Sequence, residues 1–196
     1  MATLFLVRHA HAAASYGDSA DPGLDDVGRA QAEAAGRELA ARLSVLPVYS
    51  SPMQRCRETA APLAATWGAP ATILAAVGEI PAPPISLSER QAWLRKATAG
   101  TWVEMKRDAP AGSPDFDAWR AALLGALRGM TADAVIFSHY IAINAVVGAA
   151  QGDDRVICFR PDYVSVTAIE VASGTISVRE LGRQAGEGGT TILPGR

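Results

Sequence analysis

At 196 residues, 49% hydrophobic and 19% charged, the chain can bury one sizeable core and is too apolar for wholesale disorder. Its formal net charge is −2 with no basic block or acidic run, which argues against nucleic acid or an anionic membrane as a partner. Cys56 and Cys158 lack metal-ligand or redox spacing and read as buried, reduced thiols, and the absence of a signal-peptide core or a span-length apolar run predicts a cytoplasmic protein.

In chain order, residues 3–7 (Thr-Leu-Phe-Leu-Val) are continuously apolar, as expected of a strand covered on both faces. A polar loop at 16–26 leads to a helix over about 27–43, with Val27, Ala30, Ala34, Leu39 and Leu43 approximating one apolar stripe. Residues 45–49 suggest a second strand. Ser51-Pro52 then reads as an N-cap with proline at the first helical position, starting a helix over about 52–67. Residues 71–78 suggest a third strand, and 80–85, with three prolines, must be extended or irregular. Helices are expected at 86–98, capped by Ser86, and at 115–129, with 100–114 an undefined connection. A strand at 134–138, a helix at 140–150 and a hairpin of 164–171 with 175–181 around Ser173-Gly174 complete the pattern. Trp93, Trp102, Phe116 and Trp119 read as packing for the helical flank. Strands alternating with helices predict a three-layer α/β/α sandwich with a mostly parallel central sheet. One domain over 1–182 is expected, with about 80–115 inserted over the ligand pocket and 183–196 a flexible tail.

In such folds ligands bind outside the C-terminal ends of the strands. Three expected strand ends carry the most chemically loaded residues in the chain: Arg8-His9, Ser50-Ser51 leading to Arg55, and Ser138-His139. Guanidinium forks match phosphate oxygens, a helix N-terminus favours the same anion, and an imidazole among them can attack phosphorus. His9-x-His11 with His139 also has the form of a metal site, but arginines beside it would repel a cation, so neither metal nor cofactor is expected.

The stretch Leu6-Val7-Arg8-His9-Ala10 resembles the signature of the histidine phosphatase (phosphoglycerate mutase-like) superfamily. Leu24 to Ala32, Ser50 to Ala60 and Phe137-Ser138-His139-Tyr140 are similar to its later blocks, in the same order. The resemblance implies a phosphoglycerate mutase-like fold and a phosphatase that works through a phosphohistidine on His9. Arg8, Arg55 and His139 would hold the phosphoryl oxygens, and an acidic residue between the second and last blocks would protonate the leaving group. Glu79 is the candidate by position, with Asp18, Asp21 and Glu89 as substitutes. The nucleophile's other nitrogen is expected to rest on a fixed acceptor such as a backbone carbonyl. Ser15 replaces the family's usual asparagine, weakening that phosphate contact, and Tyr140 replaces a common glycine and would line the pocket. His11 is expected on the pocket wall or facing solvent. The implied substrate is a small phosphomonoester or protein phosphohistidine. The alternatives are a phosphoglycerate mutase-type phosphotransferase and a non-catalytic phosphate-binding module. Oligomeric state is not legible.

Overall fold

The computed structural model describes residues 1–14 and 19–186. Six strands form one sheet in the order β3-β2-β4-β1-β5-β6. β1 (Ala2–Arg8), β2 (Val48–Ser50), β3 (Thr72–Ile73) and β4 (Ala134–Ser138) run parallel, and the hairpin of β5 (Val166–Ala172) and β6 (Thr175–Glu180) joins with β5 antiparallel to β1. The helices are α1 (Asp26–Arg42), α2 (Gln54–Trp67), α3 (Leu87–Thr98), α4 (Trp102–Arg107), α5 (Phe116–Arg128) and α6 (Tyr140–Gln151).

Alternation along the strands decides which helices cover which face. Ala2, Leu4 and Leu6 of β1, with Ala134 and Ile136 of β4, join one core with residues of α4, α5 and α6. The intervening Val7, Val135 and Phe137 join Val48 and residues of α1 and α2 in a second core on the opposite face. The continuously apolar strand sequences are thus explained by burial on both sides. Trp93 stacks with Phe116 at 6.1 Å and Trp102 lies 6.0 Å from Trp119, so these aromatics pack the flank.

Several local expectations need correction. The buried face of α1 is Gly28, Ala32, Ala35, Gly36 and Leu39, whereas Ala30 and Ala34 are exposed. With alanine on every side, hydrophobicity could not choose the face; close approach does, since a Cβ on Gly36 would stand 3.0 Å from the Leu63 amide nitrogen. Helix α2 begins at Gln54 rather than Pro52, because Ser51 and Pro52 continue the strand exit. The Gln54 amide is capped instead by Asp21, 2.8 Å away across the fold. β2 starts after Pro47, which has no N–H for a ladder, and the expected strand at 71–78 is only Thr72–Ile73 followed by a 3-10 turn at Ala75–Val77. The connection over 100–114 contains α4, opened by a capping box of Thr101 and Glu104. Of the expected tail, residues 183–185 still pair with the fold, Asp162 donating its amide to the Arg183 carbonyl and Ala185 to that of Arg160, while residues 187–196 lie outside the described residues. Among the described residues no helix is long and apolar enough to cross a membrane.

The N-terminus of α1 presses on the segment that leaves β1, where a Cβ on Gly28 would lie 2.0 Å from the His11 carbonyl oxygen. Gly28→Ala should therefore lower stability by about 1–3 kcal/mol, because backbone must move to admit one methyl. Gly125, inside α5 with open space around it, is the contrast: Gly125→Ala should stabilise by about 0.5–1 kcal/mol. Urea midpoints at unchanged slope measure both, and a neutral Gly28→Ala would contradict the packing.

Candidate active site

The register of the parallel strands builds the site. Arg8 lies opposite Ser138, and Ser50 opposite Phe137, so β1, β2 and β4 end at one level. The first residue beyond each strand is held there by the neighbouring strand: the His9 amide donates to the Ser138 carbonyl at 3.0 Å, and the Ser51 amide to that of Phe137 at 3.0 Å. His9 and His139 consequently lie with ring centroids 5.3 Å apart. Arg55, second residue of α2, reaches the same point, its Nε 3.2 Å from His9 Nε2.

The imidazole of His9 has a defined tautomer. Its Nδ1 lies 2.7 Å from the Ala10 carbonyl, which can only accept, so Nδ1 carries the hydrogen and Nε2 keeps its lone pair. Ala10 is itself held, its amide donating to Thr59 Oγ1 at 3.0 Å while that hydroxyl donates to the Arg55 carbonyl at 2.6 Å. Arg8 donates from Nη1 to the Pro161 carbonyl at 2.9 Å, and its guanidinium carbon stands 3.9 Å over the Tyr163 ring and 4.8 Å from that of Tyr140. Its buried Nε has no hydrogen-bond partner among the described residues, which leaves a donor for an incoming anion. The turn that brings Tyr163 there is strained: Val164 has φ +51°, and its amide donates to the Arg8 carbonyl.

His139 is placed differently from the other three. It is fully buried behind His9, with Nε2 2.8 Å from the Ser51 hydroxyl and 3.3 Å from the Cys56 thiol. Cys56 is buried as expected, while Cys158 is only partly so. The Glu79 carboxyl sits at the N-terminus of α6, accepting from the amides of Ile141 (3.2 Å), Ala142 (3.1 Å) and Ile80 (3.0 Å). Its proposed substitutes are engaged elsewhere: Asp21 caps α2, 4.0 Å from Arg55 Nη1, and Glu89 closes the capping box of α3 with Ser86. Ser15 and Asp18 lie outside the described residues.

A cleft of about 790 Å³ opens on this cluster. Arg8, His9, Arg55 and Glu79 form its floor, with Tyr140, Tyr163 and His11 beside them. Ile80 and the α3 residues Leu94, Arg95 and Thr98 make the opposite wall. Sequence reasoning missed Tyr163, Thr59 and the hydroxyl of Ser51. Thr59 and Ser51 lie inside the block that carries Arg55 and were open to inspection, whereas nothing in the sequence around Tyr163 marks it.

Burial, together with the positive charges of Arg55 and Arg8, pushes the His9 pKa well below its ordinary value of 6.5. Burial does the same to His139, helped by His9 and Arg55. Burial raises Glu79 above its ordinary 4.5, against the amides that favour its charged form. The folded state thus binds fewer protons than the unfolded chain at the histidines, and their share of stability declines as the pH falls below 6.5 toward the depressed folded values. Glu79 acts in the opposite sense, contributing below 4.5 and losing its contribution as the pH rises through its raised folded value. In an NMR titration the imidazoles of His9 and His139 should remain neutral at about pH 6, below the ordinary midpoint. A midpoint at or above 6.5 for either ring would contradict this electrostatic account.

Among solved structures the chain resembles a mycobacterial glucosyl-3-phosphoglycerate phosphatase in complex with VO3, with a TM-score of 0.71 and 19% identity over 91% of this chain and 98% of that one. It resembles a phosphoserine phosphatase from Entamoeba histolytica (TM-score 0.68, 18% identity, 92% and 96% covered). It also resembles a phosphoglycerate mutase from Thermus thermophilus (TM-score 0.63, 24% identity, 93% and 99% covered). At these identities the likeness is one of fold. No curated protein sequence matches the chain. A family model of the histidine phosphatase superfamily (branch 1) matches residues 4–184, and the chain belongs to that superfamily.

Proposed function

We propose that the protein is a metal-independent phosphatase that hydrolyses a small phosphomonoester through a phosphohistidine on His9. The observation that carries this reading is the fixed tautomer of His9, whose Nδ1 is committed to the Ala10 carbonyl while Nε2 faces a guanidinium. A histidine with its lone pair held beside arginines, and kept neutral by burial and by their charge, is prepared to attack phosphorus at neutral pH.

In the first step His9 Nε2 bonds to phosphorus as the P–O ester bond breaks, and Glu79 gives its proton to the leaving oxygen. Arg55 transfers its hydrogen bond from Nε2 to a phosphoryl oxygen, and the unpartnered Nε of Arg8 meets another. In the second step Glu79 takes a proton from water as that water attacks phosphorus, releasing phosphate and restoring His9. The raised pKa of Glu79 suits this exchange, since a carboxyl that keeps its proton to higher pH is more available as the proton donor in the first step. His139 serves from behind, its ring fixed by Ser51 and adjacent to His9. The cleft's volume of about 790 Å³ supports a small-molecule substrate. Two of the structural neighbours are, by name, phosphatases of small phosphate esters.

Hydrolysis of 4-nitrophenyl phosphate should proceed with chelator present and fall by at least about a thousandfold in His9→Ala, as expected on losing a covalent nucleophile. Retention of most activity in that variant would remove the mechanism. Glu79→Gln should cost about 10²–10⁴-fold on an alkyl phosphate, whose leaving group needs a proton. With 4-nitrophenyl phosphate the same variant should release a burst of nitrophenolate and accumulate phospho-His9, detectable by mass spectrometry. If both substrates suffered equally and no phosphoenzyme appeared, Glu79 would not be the proton carrier. A mutase-type reaction is separated by the product, because water as acceptor yields inorganic phosphate from a single substrate.

A further inference from the structure

Residues 161–165 surround Arg8, and the chemistry above gives them no task. The Arg8 amide donates to the Ser165 carbonyl at 3.2 Å, and the Arg8 carbonyl accepts from the Val164 amide at 3.1 Å. Its Nη1 donates to the Pro161 carbonyl at 2.9 Å, and the Tyr163 ring lies 3.9 Å from the guanidinium carbon. Backbone and side chain of one arginine are thus gripped by a single turn. What remains is Nε, buried and without a hydrogen-bond partner among the described residues.

The turn holds this shape against its own preference. Val164 has φ +51°, a conformation that a β-branched side chain strongly disfavours. Among the described non-glycine residues only Ser173 shares a positive φ, and it sits in the β5–β6 hairpin turn, where that is ordinary. Bonds from outside the cleft contain the strain. The Asp162 carboxylate accepts from the Tyr163 amide at 2.8 Å and from Arg183 Nε at 3.1 Å. Arg183 Nη2 donates to the Tyr163 carbonyl at 3.3 Å, while the Asp162 amide donates to the Arg183 carbonyl at 2.9 Å. A ring kept only to bury surface would need neither a strained valine nor a buttress. A ring face attracts a guanidinium but takes none of its in-plane N–H bonds, so Tyr163 can fix the plane of Arg8 and leave Nε free.

We propose that Tyr163 is a positioning residue, held by the strained turn and by Arg183 behind it, that sets the plane of Arg8 so that Nε meets the phosphoryl group. The proposal rests on reading the cleft as a phosphoryl pocket, and calorimetry with inorganic phosphate separates the two. Tyr163→Phe keeps the ring and should bind phosphate within about twofold of the wild type. Tyr163→Leu should bind about tenfold more weakly, the scale of one partly buried cation–π contact. A ring-fluorinated phenylalanine at the same position has nearly the same shape but a less negative ring face. It should bind phosphate about threefold more weakly than Tyr163→Phe, a difference that lost packing does not produce.

Arg183→Ala provides the second variant, because Arg183 does not line the cleft and acts only through the turn. It should weaken phosphate binding several-fold, and it keeps the proposal open to refutation if Tyr163→Leu folds poorly. Equal affinities for the fluorinated and plain phenylalanine variants would overturn the proposal, whatever Tyr163→Leu does. So would an affinity unchanged in both Tyr163→Leu and Arg183→Ala. If inorganic phosphate fails to bind the wild type, the phosphoryl-pocket reading fails and this inference falls with it.

Discussion

The site depends on one constraint, the in-register parallel pairing of β1 with β4. Because Arg8 stands opposite Ser138, the residues that follow, His9 and His139, leave the sheet side by side. The Ser138 carbonyl, at the C-terminal end of β4, takes the His9 amide as well as the Cys56 thiol. β2 extends the arrangement by one strand, placing Ser51 against His139 and leading into the helix that carries Arg55. A slip of one residue would exchange the two buried faces of β1, moving Leu4 and Leu6 out of one core and Val7 out of the other. The hydrophobic cores therefore fix the geometry of the site. Precise placement of the two rings follows from burying apolar side chains on both faces of the sheet.

Bringing guanidinium and imidazole groups together has an electrostatic cost, and the surroundings show how it is met. The histidines give up their protons, so the cluster carries the charges of Arg8 and Arg55 without adding theirs. Arg8 is supported by a carbonyl and by ring faces that attract a cation without neutralising it. Arg55 has Asp21 at 4.0 Å, a distance that screens its charge without a close ion pair. A tight carboxylate partner for either arginine would compete with any incoming anion. The structure instead uses neutral acceptors and aromatic faces at the floor and keeps its close acid–base pair, His11 with Asp25, on the wall.

The chemistry-bearing residues were legible because they sit where local pattern and fold rule coincide. Arg8, His9 and His139 end apolar runs, and the alternation of strands with helices is enough to send those ends to one edge. Glu79 was reachable only through family resemblance, since a glutamate followed by proline-rich chain has no pattern of its own; its contact with α6 depends on how the chain returns. Tyr163 was invisible for a related reason. It reaches Arg8 through a strained turn more than 150 positions away in sequence, and no periodicity reports a residue with positive φ. The helix α4 is a different kind of miss. Thr101 and Glu104 form a capping-box spacing that was present and unread, overshadowed by the prolines and glycines around it.

Helix α2 ties the fixed and variable parts of the site together. Its first turn supplies Arg55, its second supplies Thr59 to hold Ala10, and Glu58 accepts the Leu24 amide at 2.6 Å. The loop reciprocates, because Asp21 caps the helix that would otherwise begin with a bare amide. The arginine-lined floor and the segment leading to Asp25 and His11 are therefore anchored to the same two turns of helix. By contrast the opposite wall, built by α3, shares no main-chain ladder with the sheet and meets the cleft through side chains such as Leu94 and Thr98. Substitutions on α3 can reshape that wall at little cost to the register that fixes His9 and His139. Changes on the His11 side are transmitted through Gly28 and Asp25 into α1, so that side of the cleft is coupled to the packing of the fold itself.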